Sequence, residues 1–571
     1  MTRRYSKPFI TALSLALFAA RPSTSFADNP VVQTLYTADP AAMVHDGILY
    51  LYTTHDEDVT INNFFTMNDW RVYSSSDVVN WTDHGSPLHY SAFAWARGDA
   101  WAGQAISRNG RVYFYVPIVR TSGGSAIGVA VADSPIGPFQ DALGRPLITS
   151  DCGDIDPSVF IDDDGQAYLY WGNPNLCYVR LNEDMTSYQG DVVRVPLTTA
   201  SFGTRSTTDR PTTYEEGPWF YKREGRYYLV FAAGPISEHI GYSTSLSATG
   251  PWTYGGVVMP TEGASFTNHP SVIDYKGKSF LFYHNGALPG GGGFRRSVSV
   301  EEFSYGPDGS IPQQRMTTEG PTAVATLNPF ARTEAETIAW ETGIETEACS
   351  EGGLDVTSID DGDFIKVKEV EFGSGATSFA ARVASTSGGG AIELRLDSEN
   401  GTLIGTCAVP STGGEQTWAT ESCMVSGAAG KHDLFLKFMG GGFKVNWWQF
   451  AGPGDPGRVA TGGTGSLAGA SGASGLEPAG GGSGGSGGAG GGTLAIGGAP
   501  SETTGPVGIV STGGVAESAP GARPWSNVNG SSCGVVRARS RWSALAAIGM
   551  LGALALRWSH GRRNGSARTH D

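Results

Sequence analysis

Three acidic residues share a setting that suits acid–base chemistry. Asp39 stands in Thr37-Ala38-Asp39-Pro40, Asp156 in Asp154-Ile155-Asp156-Pro157, and Glu216 in Tyr214-Glu215-Glu216-Gly217-Pro218. Each lies about eight or nine residues ahead of a glycine that opens a short run of alternating aromatic and aliphatic residues. A single Asp-Pro is an ordinary turn signal. Three carboxylates at one phase of a repeat instead fall at equivalent places in equivalent structural units, where they face one another. Crowded carboxyls of this kind separate in acidity, one keeping its proton near neutral pH while a neighbour stays ionised, and general acid–base catalysis needs that difference.

The units that must position them recur five times. The glycine-led runs are Gly47–Tyr52, Gly110–Tyr115, Gly165–Tyr170, Gly225–Val230 and Gly277–Phe282. They are spaced by roughly 50–65 residues, room for one four-stranded sheet each, with no amphipathic helical segment between. A weaker echo, Ser76 to Trp81, Asp133 to Phe139 and Ser245 to Trp252, repeats a Ser/Asp turn that ends in an aromatic. The pattern predicts an all-β chain with a five-bladed β-propeller over residues 28–327, its innermost strands lining a central channel. A β-sandwich with coincidental hairpins would not hold the period. From residue 332 to 452 the chain changes to strands such as Phe364–Val370, Ile392–Leu396 and Leu434–Phe438, which suits a jelly-roll β-sandwich.

Composition and the chain ends bound the setting. The 571 residues carry a formal charge of −16, with no Lys/Arg-rich run in the part expected to fold. That argues against nucleic acid as a partner and is compatible with a neutral polysaccharide. Residues 1–27 read as a signal peptide: Arg3, Arg4 and Lys7, then the apolar Phe9–Ala20, then Ser25-Phe26-Ala27. Residues 453–530 are a Gly/Ser-rich linker that cannot bury enough apolar surface to fold. Residues 531–571 hold Cys533, an apolar stretch from Trp542 to Trp558 and Arg562-Arg563. This order resembles the C-terminal sorting tails of myxobacterial surface proteins; a simple membrane anchor is the alternative. The expectation is a bacterial protein, secreted or attached to the cell surface, whose tail meets membrane or sorting machinery and which is a monomer. Of six cysteines, Cys407 and Cys423 are the expected local disulfide, while Cys152 and Cys177 are read as free buried thiols. No Cys-x-x-Cys or Cys/His metal spacing is present.

The triad, with Thr53-Thr54-His55-Asp56-Glu57, Asp99 to Gln104, Tyr170 to Asn175, Asn268-His269-Pro270 and Phe282 to Gly290, resembles the arabinoxylan arabinofuranohydrolases of glycoside hydrolase family 43. The resemblance covers about residues 30–320. It implies an inverting hydrolase that removes α-L-arabinofuranosyl groups from arabinoxylan. Asp39 would be the general base and Glu216 the general acid. Asp156 would raise the Glu216 pKa and orient that side chain. Inversion requires the acid and base about 6.5–9.5 Å apart so that water fits between them. Strand alternation lets only one of Glu215 and Glu216 face the channel, and the family motif selects Glu216. By the same resemblance Arg296, with Arg295 as its rival, would bind sugar hydroxyls or the base carboxylate, Asn285 would bind sugar, and His269 would associate with calcium through water. Trp101 is either a sugar-stacking wall or blade core. β-Xylosidases and arabinanases of the same family remain alternatives. A surface lectin on a degenerate propeller is the non-enzyme alternative, against which the intact triad argues.

Residues 332–452 resemble a family 6 carbohydrate-binding module, through Glu334-Ala335-Glu336 and Asn446-Trp447-Trp448. Glu334 and Glu336 share a strand face and suit a structural calcium ion, with Asn446 departing from the Asp common there. No organic cofactor is expected. Glu415 stands where an aromatic is common at one sugar cleft, and Trp418 is read as core.

Overall fold

The computed structural model describes residues 28–453. The expected signal peptide, most of the linker and the C-terminal segment lie outside the described residues. Among those described, the structure is nearly all β, as expected, and no helix is long and apolar enough to cross a membrane.

Five antiparallel sheets follow one another from residue 36 to residue 303. The strand that leads into each glycine hairpin, its opening strand, is Tyr36–His45, Gln104–Arg108, Ser158–Ile161, Tyr214–Arg223 or Ser271–Tyr275, with a short strand, Ala96–Gly98, ahead of it in the second sheet. Each glycine-led run forms the strand after its opening strand, and the glycine sits in the hairpin between them. In four of the five hairpins the turn is two residues long with both in the left-handed region: Asp46-Gly47, Asn109-Gly110, Glu224-Gly225 and Lys276-Gly277. This primed turn matches strand twist and favours glycine at its second position, which explains the periodic glycine.

The opening strand of each sheet lies against the opening strand of the next, and that of the fifth lies against that of the first. Aromatic side chains fill the spaces between sheets. Tyr170 of the third sheet packs on Phe220 and Trp252 of the fourth at ring separations of 4.7 and 6.4 Å. Burying such side chains contributes about 1.5–3 kcal/mol each.

The remaining strands form two packed sheets around Phe379, Trp448, Phe450, Val367 and Leu434. The Cys407–Cys423 disulfide joins a strand of one sheet to a strand of the other. Two readings are corrected here. Cys152 and Cys177 are not free thiols but a disulfide. Trp418 is not core: it is half-buried on the outer face, where its indole N–H donates to Ser350 Oγ (3.1 Å), and Trp448 fills the core instead.

The two parts are joined by more than a linker. Thr337–Ile338 pairs with Trp81–Asp83 and so extends the first sheet. The Asn80 side chain exchanges two hydrogen bonds with the Lys368 backbone (2.9 and 2.8 Å), and Lys366 and Lys368 both reach Asp28.

Candidate active site

Proline explains where the carboxylates sit. It has no N–H to give to a ladder, so pairing breaks around Asp39-Pro40 and Gly217-Pro218, and the third sheet starts only after Asp156-Pro157. The residue before each proline is left-handed: Asp39 at φ 52°, Asp156 at 57° and Gly217 at 58°. Asp39 and Asp156 are therefore strict counterparts. Glu216 is one residue out of register, its structural place being taken by Gly217. The glycine N–H donates to Asp156 Oδ2 (2.9 Å), so the offset itself ties Asp156 to the chain beside Glu216.

Asp39 is buried and clamped. Arg296 donates to both of its oxygens (2.9 and 3.2 Å), and Thr54 Oγ1 donates to Oδ2 (2.9 Å). The Asp39 N–H donates to His284 Nδ1 (3.2 Å). Arg296 is shared with Asp56, fully buried, through Nε and Nη2 (both 2.9 Å), and its guanidinium lies against the Phe65 ring (4.6 Å). Burial alone would raise the Asp39 pKa. The Arg296 charge, with His284, outweighs it and holds the carboxyl far below the usual range, so Asp39 is always ionised. Arg295 does not share this role; its guanidinium stands over the Tyr36 ring (5.6 Å).

Glu216 behaves in the opposite way. Burial pushes its pKa up to about 7, the Asn173 amide donating to it opposes the rise, and the Asp39 and Glu215 charges add to it. Asp156 is also pushed well up, by burial first and then by Glu216 and Asp39. Burial leads the rise at Glu216, and the charges that add to it are those of Asp39 and Glu215, not the expected one of Asp156. Glu215 points away, into an ion pair with Arg205 and Arg210. An ionised carboxylate fixed by arginine and, within reach of its charge, a carboxyl protonated near neutrality can serve as a base and an acid.

The other expected residues divide. Trp101 is half-buried against the core between sheets, and its carbonyl accepts from Trp70 Nε1 (2.8 Å). Asn285 spends its amide on Ser297, Ser299 and the Ala287 N–H, which fixes the start of the Gly286–Gly293 loop. His269 is buried beside Gly217, its pKa pushed down to about 4 by burial, so it is a neutral imidazole. Among the described residues the one group of three metal-capable side chains is His55, Glu57 and Asp69; the Asp39 charge reaches His269.

In the sandwich, Glu334 pairs with Arg332 (2.8 Å). Glu336 is buried with Oε2 unpartnered, and Asn446 Oδ1 is likewise unpartnered. Ala335, between the two glutamates, donates its N–H to the Asn446 carbonyl (2.9 Å), so these residues lie on adjoining strands. Burial first, then Glu334, pushes the Glu336 pKa up to about 9. Unpartnered buried oxygens beside a carboxylate fit a hard cation.

Sequence reasoning missed Asp56, Thr54, His284 and Asn173 as parts of the site. All four lie within stretches that carry the family resemblance, but their partners are distant in sequence, and no local pattern reveals them.

Comparison with known proteins gives consistent results. The sequence pattern of "Glycosyl hydrolases family 43" matches residues 27–311, and that of "Carbohydrate binding module (family 6)" matches residues 334–452. The arabinoxylan arabinofuranohydrolase of Bacillus subtilis is 37% identical over 489 residues, 74% of this chain and 92% of that protein. The arabinoxylan arabinofuranohydrolase of Paenibacillus polymyxa is 34% identical over 498 residues, 76% of this chain and 75% of that protein. A crystal structure of the Bacillus subtilis family 43 enzyme with cellotetraose superposes with a TM-score of 0.65 at 36% identity, covering 75% of this chain and 99% of that one.

Proposed function

Because the chain belongs to glycosyl hydrolase family 43, we propose that it releases α-L-arabinofuranosyl side groups from arabinoxylan with inversion at the anomeric carbon. The geometry that carries the reading is Asp39 clamped by Arg296 and Thr54 and placed near enough for its charge to act on Glu216, whose carboxyl pKa is pushed up to about 7 while that of Asp39 is held low. Asp39, ionised and aimed by Arg296 and Thr54, takes the proton of an attacking water. Glu216 gives its proton to the departing xylan oxygen. Asp156, bonded to the Gly217 N–H, holds the Glu216 backbone in place. The contacts between opening strands support reading the five sheets as blades of a five-bladed β-propeller around this pocket. Proton NMR of the first product tests the stereochemistry: β-arabinofuranose from an α-linked substrate is expected, and α product contradicts it.

The sandwich is proposed to hold carbohydrate and one structural calcium ion at Glu334, Glu336 and Asn446, which when bound would neutralise the buried carboxylate. Calcium added to chelated protein should raise Tm, by about 2.7 kcal/mol in stability at a hundredfold excess over Kd, and Glu336→Gln should remove the increment. No effect of calcium on the parent protein contradicts the site. Export and attachment to the cell surface are proposed from residues 1–27 and 531–571. An export assay settles this, and protein confined to the cytoplasm contradicts it.

A further inference from the structure

Segment Glu57–Thr66 folds into a tight hairpin that displays apolar side chains. Glu57 N–H donates to the Thr66 carbonyl (3.0 Å), Ile61 N–H donates to Thr66 Oγ1 (2.8 Å), and Ile61 pairs with Phe64. The two residues between them, Asn62 and Asn63, are left-handed at φ 55° and 52°, the primed turn that locks a two-residue loop. The result turns Val59, Ile61 and Phe64 outward, 77%, 64% and 52% exposed. Large apolar groups held in water by a rigid turn mark a binding surface rather than a packing fault.

Its place in the molecule is defined by its neighbours. Phe65 covers the Arg296 guanidinium that clamps Asp39 (4.6 Å). Phe64 and Phe65 both pack on Phe294 (5.9 and 4.8 Å), in the turn after the Gly286–Gly293 loop, and Phe266 completes the cluster at 5.1 Å from Phe294. The exposed face is thus continuous with the roof over the base carboxylate.

We propose that this hairpin is a platform for the xylan main chain, with the Phe64 ring stacking on a xylose ring next to the branch point. The inference rests on the arabinofuranosidase reading of the site. A pocket that takes a single side group leaves the main chain outside it, across whatever surface adjoins the mouth. Xylose rings present C–H faces that match an apolar ring, with hydroxyls at their edges, and the exposed Asn62 and Asn63 amides border the platform with hydrogen-bond capacity. Phe65 is not the contact, because its ring already lies on Arg296.

The test compares two substrates on the full chain: arabinoxylan and a one-sugar aryl α-L-arabinofuranoside. Phe64→Ala should raise KM for the polymer about three- to tenfold more than KM for the aryl substrate, the range for one lost aromatic contact. Phe64→Tyr should restore the polymer KM. Equal change on both substrates overturns the platform, as does no change on either while the parent protein still releases arabinose from the polymer. A parent protein that releases no arabinose overturns the site reading itself, and the platform with it.

Discussion

At the scale of residues, the chemistry depends on which of two adjacent glutamates faces the pocket. Glu216→Gln should leave the fold intact and lower kcat by at least about a hundredfold, the usual share of general acid catalysis. Glu215→Gln should instead leave the buried Arg205 with only Asp209 and Thr207 as partners and lower stability while leaving the acid in place. Thermal melts and rates on the two variants separate these outcomes, and a silent Glu216→Gln would show the wrong neighbour was chosen. The pH profile follows from the same pair. The acid must be protonated, so kcat/KM should fall as pH rises through about 7, the raised Glu216 value. Asp39 is held so low that it adds no acidic limb at working pH. A profile flat through pH 8 would contradict this. The common distance to the hairpin glycine made the three carboxylates legible in the sequence, with proline directly after Asp39 and Asp156. The Glu215/Glu216 choice was not legible from alternation alone, because Arg205 and Arg210 settle it through pairing across a loop. The one-residue offset of Glu216 was hidden as well, since Gly217 shows its role only through its φ and its bond to Asp156.

At the scale of elements, the acid is steadied by two segments that cross. The turn that leads to Asp156 and the stretch that carries Asn173 meet so closely that a Cβ on Gly153 would lie 1.8 Å from the Asn173 carbonyl oxygen. Trp171 Nε1 donates to Asp154 Oδ1 (2.9 Å), and Cys152–Cys177 closes the crossing. Reducing this disulfide, or replacing both cysteines with serine, should cost about 2–4 kcal/mol in stability and lower kcat as Asn173 loosens from Glu216. Melts and rates with and without reductant check it, and unchanged values would mean the crossing holds without the bond. The hairpin glycines were readable because a primed turn needs them at one repeated place. The disulfide was not, since Cys152 lies in a bend and Cys177 begins a strand 25 residues on, and nothing local brings them together.

At the scale of the whole molecule, the sequence suggested a binding module attached after the catalytic part, and the change in strand pattern near residue 328 was legible. Its docking was not, because the strand that joins the two parts is only Thr337–Ile338 and its partner lies at Trp81–Asp83. A chain cut after residue 327 should therefore melt at a lower temperature than one ending at residue 452. It would lose that strand, the Asn80–Lys368 bonds and the pairs to Asp28. Equal melting temperatures would reduce the module to a tether. The central claim concerns what is cut, and the monosaccharides released from wheat arabinoxylan by residues 28–452 test it most directly. Arabinose as the sole monosaccharide, with xylan chain length unchanged, is the result expected of a pocket that accepts one side group above Asp39 and Glu216; free xylose or shortened xylo-oligosaccharides would contradict it.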